Sequence, residues 1–329
     1  MSSGVRTTPA SPPRIFVIHE NSAWVEPLRR EFALLAVPYS EWFLDQGRLD
    51  LSAAPPHGIF YNRMSASSHT RGHRFAPEYT AAVLAWLTRH GRSIVNGERA
   101  LQLEVSKVAQ YQALAKFGIE TPATIAVVGP HHIAAAAGEL GYPVILKHNR
   151  AGKGLGVKLL YSAEALQQHL TSQGFADSID GVMLVQRYIE APAPAITRVE
   201  FIGGRCLYAV RVDTSEGFEL CPADSCQVGP ATVCPAVAVA EKFQILPRFE
   251  HPLLPAWQRF LAGNDIGIAG IEFIEDGRGR SYTYDVNTNT NYNAEAEARD
   301  GRRGMQAIAQ YLQQRLIETY PGTSIAPAA

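Results

Sequence analysis

The sequence predicts a mixed α/β (α+β) protein of three units, and three observations carry that expectation. Short β-rich apolar runs alternate with helical spacing over residues 14–97. A β-α-β-β-α-β order follows over 98–190. The remainder, 191–320, contains two strand pairs joined across Gly203-Gly204 and Asp276-Gly277-Arg278-Gly279.

In the first unit, residues 14–19 (RIFVIH), 38–43, 58–62 (GIFYN) and 93–96 read as strands. Helical spacing at 24–36 and 78–90 separates them, which argues for a small parallel sheet. In the second unit, 106–117 reads as a helix with Ser106 as N-cap and Gly118 at its C-terminal end. Strands follow at 121–128, 143–148 (PVILKH), 157–161 and 182–189 (VMLVQRYI), with helices at 131–140 and 163–172. The third unit holds strands at 200–202, 206–212, 268–275 and 281–287, with helices at 254–262 and 304–317. Residues 1–13 (MSSGVRTTPASPP) read as a disordered leader without an apolar signal core, and 321–329 as a loose tail.

Composition excludes several classes. With 30 Lys+Arg against 31 Asp+Glu, no global basic field exists for nucleic acid or an anionic membrane. Four Cys in 329 residues do not make a disulfide scaffold. No run of about 18 apolar residues occurs, so no membrane partner is expected. Cytoplasmic residence is the resulting expectation.

The hairpin at 268–287 carries the most informative geometry. Pairing symmetric about residues 278–279 sets Glu272 opposite Asp285, with Asn287 on the same face. Opposed Cβ atoms lie about 4.5–5.5 Å apart. Ile271, Phe273, Tyr284 and Val286 then form the apolar face. Two opposed carboxylates need compensation, and Mg²⁺ is a cation that takes such oxygen ligands. A solvated hairpin face without ligand is the competing reading, and a one-residue slip of register would break the pattern.

Residues 147–157 (KHNRAGKGLGV) place three glycines and two lysines between two strands. Successive backbone N–H groups in such a turn can cradle phosphate oxygens. An ordinary turn is the alternative, because neither a Walker loop nor a dinucleotide fingerprint is present. Lys147 ends the apolar run PVIL, where a charge needs a partner. Lys107 sits near the start of an amphipathic helix.

The ordered set Lys107, PVILK ending at Lys147, GKGLG at 152–156, VQRYI at 185–189 and Glu272/Asp285/Asn287 resembles the ATP-grasp superfamily, most closely its RimK-like carboxylate–amine ligases. The resemblance covers about 95–320, and it implies an ATP-grasp fold. Residues 14–97 would be the preceding α/β domain, 98–190 the central subdomain and 191–320 the C-terminal catalytic subdomain with an antiparallel sheet. Lys107 and Lys147 would contact nucleotide phosphates. Gly152, Lys153, Gly154 and Gly156 would form a mobile loop over them. Gln186, Arg187, Tyr188 and Ile189 would meet adenine, with Glu190 at the ribose. Arg198 and Arg211 match arginines facing phosphate and the reacting carboxylate. Glu272, Asp285 and Asn287 match the ligands of one or two Mg²⁺, with Mn²⁺ as a substitute. Two departures stand out: Asp285 replaces the usual Glu, and Glu272 a frequent Asp.

The activity so implied is ADP-forming ligation through an acyl phosphate, joining an amino acid, a peptide or a protein terminus to an amine. A small-molecule kinase and an inactive nucleotide-binding regulatory module are the alternatives. A homo-oligomer is compatible with the sequence. On the substrate side, Arg63 follows a strand directly and Asn289 lies in the amide-rich run 287–293. Arg71 and Arg74 are weaker carboxylate contacts, and Glu295 and Glu297 weaker amine contacts. Cys221, Cys226 and Cys234 lack zinc-ligand spacing, and 213–236 reads as a substrate-side loop.

Overall fold

The computed structural model describes residues 12–152, 154, 156–215 and 242–322. Cys221, Cys226, Cys234, Lys153 and most of the expected substrate-side loop lie outside the described residues. The first sheet is parallel, in the order β2-β1-β3-β4: β1 (Arg14–His19), β2 (Tyr39–Phe43), β3 (Gly58–Asn62) and β4 (Ser93–Val95). The helices α1 (Ser22–Leu34) and α2 (Ala76–Arg89) connect it. Asn21 starts α1, its side chain accepting from the Ala23 and Trp24 N–H groups.

Next come α3 (Glu98–Glu104) and α4 (Lys107–Ala115). Ser106 caps α4 by accepting from Ala109 N at 3.2 Å, as its position in the sequence predicts. Helix α3 went unread in the sequence; its buried Ala100, Leu101 and Leu103 hold it to the core. The second sheet is antiparallel, β5-β8-β6-β7, from β5 (Thr124–Val128), β6 (Val144–His148), β7 (Lys158–Leu160) and β8 (Val182–Arg187). Helices α5 (Ile133–Leu140) and α6 (Ala163–Leu170) accompany it.

The third sheet, β11-β10-β9-β12-β13, is also antiparallel. Its strands are β9 (Ala195–Ile202), β10 (Arg205–Asp213), β11 (Phe243–Leu246), β12 (Ile268–Glu275) and β13 (Ser281–Asn287). Gly203 and Gly204 both take positive φ in the β9–β10 turn, which two-residue hairpins of this twist require. Helix α7 (Leu254–Gly263) precedes β12; α8 (Ala294–Asp300) and α9 (Gly304–Thr319) follow β13. Among the described residues no helix is long and apolar enough to cross a membrane.

One face of the third sheet is apolar. Val199, Phe201, Ile271 and Val286 pack there against Leu103 and Leu114 of α3 and α4, and Trp257 and Phe260 of α7. Helix α9 instead lies against the first sheet: Ile308, Leu312 and Leu316 join Ile15, Val17, Leu28 and Ile59 in one cluster.

Asn96 fastens these parts together. It is fully buried with φ +59. Its side chain donates to the Ile268 and Thr288 carbonyls at 2.8 and 2.9 Å and accepts from Gly267 N and Ile268 N at 3.0 and 3.1 Å. Asn62 donates to the Asn96 carbonyl at 2.9 Å. Removing the amide strands several buried backbone groups, each costing about 1–3 kcal/mol. Asn96→Ala is therefore expected to lower the thermal midpoint by several degrees, read by calorimetry; an unchanged melt would refute the role of this side chain as a fastener.

Candidate active site

One cavity lies between the second and third sheets. Strand alternation aims Ile145 and Lys147 of β6, Ile196 and Arg198 of β9, and Glu272 and Ile274 of β12 into it. Asp285 and Asn287 of β13 and Lys107 of α4 complete the polar floor. Gln186, Arg187, Tyr188 and Ile189 line one wall, with Gly152 and Gly154 close by. Trp24, Ser65 and Ser67 bring the first unit to the opposite wall.

Glu272 does pair with Asp285, and Gly270 with Asn287. The next step departs from symmetry: Phe273 pairs with Thr283, which leaves Tyr284 in a bulge. Thr283 thereby takes the core position, accepting from Trp257 Nε1 at 3.0 Å. Tyr284, expected on the apolar face, turns into the cavity.

Cations answer the two carboxylates. Lys107 Nζ donates to Asp285 Oδ1 at 2.7 Å. Arg198 Nη1 donates to Glu272 Oε1 at 2.9 Å, and Asn287 Nδ2 reaches the same oxygen at 3.3 Å. Burial pushes the Glu272 carboxyl up against the pull of Arg198, and the Asp285 charge adds to the rise. Burial opposes the Lys107 ammonium, but Asp285 and Tyr111 outweigh it and its pKa rises.

Lys147 is held differently. It is buried, and its Nζ donates to the Tyr111 hydroxyl at 2.7 Å. It also sits 5.4 and 5.8 Å from the ring centres of Tyr111 and Tyr284. Desolvation, and then the nearby Lys107 charge, pull its pKa down to about 7. The Tyr111 hydroxyl donates to the Tyr284 carbonyl at 2.9 Å and accepts from Gln186 Nε2 at 3.0 Å. Tyr111 was not singled out in the sequence, where it reads as an ordinary apolar position of α4.

The glycine loop is moored to the first unit. Arg150, at its start, donates to Glu78 of α2 at 2.6 Å and holds that carboxyl below its ordinary range. A Cβ on Gly152 would stand 3.5 Å from Ser67. Gly154 and Gly156 take φ of +73 and +74, and Gly156 packs on His148 rather than lining the cavity.

Five sequence assignments land elsewhere. A bulge between Cys206 and Tyr208 shifts the β9–β10 register by one, so Arg198 pairs with Val210 and Arg211 with Thr197. Arg211 is exposed on the face opposite Arg198. Arg63 is buried rather than open to substrate: it donates to the Asn289 side chain at 3.3 Å, the Thr290 carbonyl at 3.1 Å and the Asn291 side chain at 2.8 Å. It thus braces the loop from which Asn289 and Asn291 line the cavity. Glu190 is exposed and borders an outer groove shared with Arg187, Tyr188 and Ile189. Glu297 is taken up by the Tyr208 hydroxyl and Gly304 N, both at 2.6 Å. Arg71 is committed to Glu20 and lies over Trp24.

Glu104 is a lining residue without a sequence signal. Its carboxylate accepts from Thr288 N and Oγ1 at 2.7 and 3.0 Å, and burial pushes its pKa up.

Among the described residues no group of three or more His, Cys, Asp or Glu is arranged as a metal cluster. The floor offers two carboxylates and one amide, an all-oxygen set that fits Mg²⁺ held jointly with substrate phosphates. Opposed carboxylates 272 and 285 are the observation that supports this fit.

Residues 105–219 match the RimK-like ATP-grasp domain family. A RimK domain ATP-grasp protein from Sphaerobacter thermophilus is similar in structure, with TM-score 0.61 and 19% identity, covering 91% of this chain and 98% of that one. The ATP-grasp ligase PsnB, solved with its minimal precursor, gives 0.64 and 14%, covering 92% and 99%. The D-cycloserine synthetase DcsG gives 0.62 and 14%, with the same coverage. No curated protein sequence matches. Residues 105–219 thus match the RimK-like ATP-grasp domain, and the chain as a whole shares the fold of these ATP-grasp structures.

Proposed function

We propose that the protein is an ADP-forming carboxylate–amine ligase acting on an amino acid or peptide through an acyl phosphate. The observation that carries this reading is the convergence of Lys107, Lys147 and Arg198 with Glu272, Asp285 and Asn287 in one cavity, beside residues 186–189 and a glycine loop. Structural relatives include both a ligase solved with a precursor peptide and D-cycloserine synthetase, which supports either kind of substrate.

In this reading Gln186–Ile189 receive the adenine. Lys147 and Lys107 face the phosphates, and the loop with Gly152, Lys153, Gly154 and Gly156 covers them. Mg²⁺ held by Glu272, Asp285 and Asn287 would offset phosphate charge during transfer. Arg198 steadies the carboxylate and the transferring group. Phosphoryl transfer needs positioning and charge neutralisation rather than a protein nucleophile. Exclusion of water by the loop protects the acyl phosphate until the amine displaces phosphate. Asn289, braced by Arg63, is a contact for the substrate.

Incubation with ATP, Mg²⁺ and pooled amino acids or dipeptides is expected to release ADP only when carboxylate and amine are both present, with the ligated mass in the products. Phosphorylated substrate without an amide would instead identify a kinase. Lys147→Ala is expected to reduce ADP release by about 100-fold, the scale for losing one such charge-stabilising group; undiminished release would remove Lys147 from the site.

The Lys147 pKa also predicts a pH effect. With a value of about 7 in the free protein, the amine is about half protonated at neutral pH. A triphosphate favours the ammonium, so binding raises this pKa and takes up a proton. ATP affinity is then highest below pH 7 and falls as pH rises above it, by up to about tenfold per unit. Calorimetry in buffers of different ionisation enthalpy would read the proton uptake at pH 8; uptake that is the same in Lys147→Met would reassign it.

A further inference from the structure

Arg198 does not simply point into the cavity; it is built into a seat. Its Nε donates to Glu200 Oε1 at 2.5 Å and its Nη2 to the Thr290 hydroxyl at 2.7 Å. Thr290 in turn donates to Glu200 Oε2 at 2.8 Å, which closes a ring of three side chains. Glu200 is 1% exposed and Thr290 fully buried, so this ring lies beneath the cavity floor. Only Nη1 reaches a floor carboxylate, Glu272.

Register explains how the seat fits. Arg198 and Glu200 stand on β9, facing Glu272 and Gly270 on β12. The guanidinium lies over Gly270: a Cβ there would come within 2.7 Å of both its Cζ and its Nε. Any other residue at 270 would occupy the space the guanidinium fills. A buried guanidinium is stable only if its charge and donors are answered, and here two carboxylates and a hydroxyl do so.

We infer that Glu200 and Gly270 are positioning residues of the proposed ligase. They fix the plane of the Arg198 guanidinium so that one edge, Nη1, which rests on Glu272, is aimed at the reacting group. Glu200 touches no substrate; it acts through Arg198. Misplacing such a group by an ångström lowers turnover more than binding. The inference rests on the ligase reading above.

The test is a double-mutant cycle on ADP formation, using Glu200→Gln, Gly270→Ala and Arg198→Ala, singly and paired, with thermal melts alongside. Glu200→Gln is expected to lower kcat by tenfold or more while KM for ATP moves less than about threefold, because Lys107 and Lys147 hold the nucleotide. Gly270→Ala pushes the guanidinium out of its seat, so kcat falls toward that of Arg198→Ala, and the melts separate this from loss of fold. Added to Arg198→Ala, neither change should cost more, since residues acting through one group are not additive. Full additivity, or wild-type kcat in both single variants, overturns the inference alone. No ADP from the wild-type protein with any carboxylate and amine overturns the ligase reading, and this inference with it.

Discussion

Glu272 and Asp285 face each other across adjacent strands, and the site is arranged around that repulsion. Like charges so opposed are unfavourable, and burial raises the cost. Lys107 is drawn to one carboxylate and Arg198 to the other, from different elements of the chain. The pairings tie α4 and β9 to the hairpin. They also determine what the cavity attracts. A cation arriving between the carboxylates would release Lys107 and Arg198 to face an anion. On the proposed reading, metal and phosphate would be matched to one another through the protein's own ion pairs.

Lys147 has a different place in this scheme. Its partner is a phenol, not a carboxylate, and two aromatic rings flank it. Without an anion it is the least comfortable charge in the cavity, which is why its pKa falls. The chain's near-zero net charge conceals this local polarity.

Much of this was legible in the sequence for specific reasons. The β12–β13 turn is symmetric, so counting from its centre places Glu272 against Asp285. Lys147 stands out because an apolar strand ends in a charge. What stayed hidden traces to bulges and packing. One extra residue near Leu207 reverses the face of Arg211, and another at Tyr284 moves a tyrosine from core to cavity. A bulge depends on tertiary fit, which local spacing does not record. Arg63 was read as a ligand contact because it follows a strand; its burial under an amide loop more than two hundred residues away is a long-range fact. Glu200 reads as an ordinary strand charge until Gly270 is seen beneath the arginine beside it.

The position of α9 bears on how the chain comes together during synthesis. The apolar side of the first sheet, with Ile15, Val17 and Ile59, is covered by Ile308, Leu312 and Leu316, and the Tyr320 hydroxyl accepts from Gly58 N at 3.0 Å. Strands β1 and β3 thus leave the ribosome well before the helix that covers them, α9. Until then they expose an apolar surface, a period in which chaperone capture and self-association compete with folding. Contacts of such long sequence separation also slow the final docking. The first sheet and α9 mature as a single event.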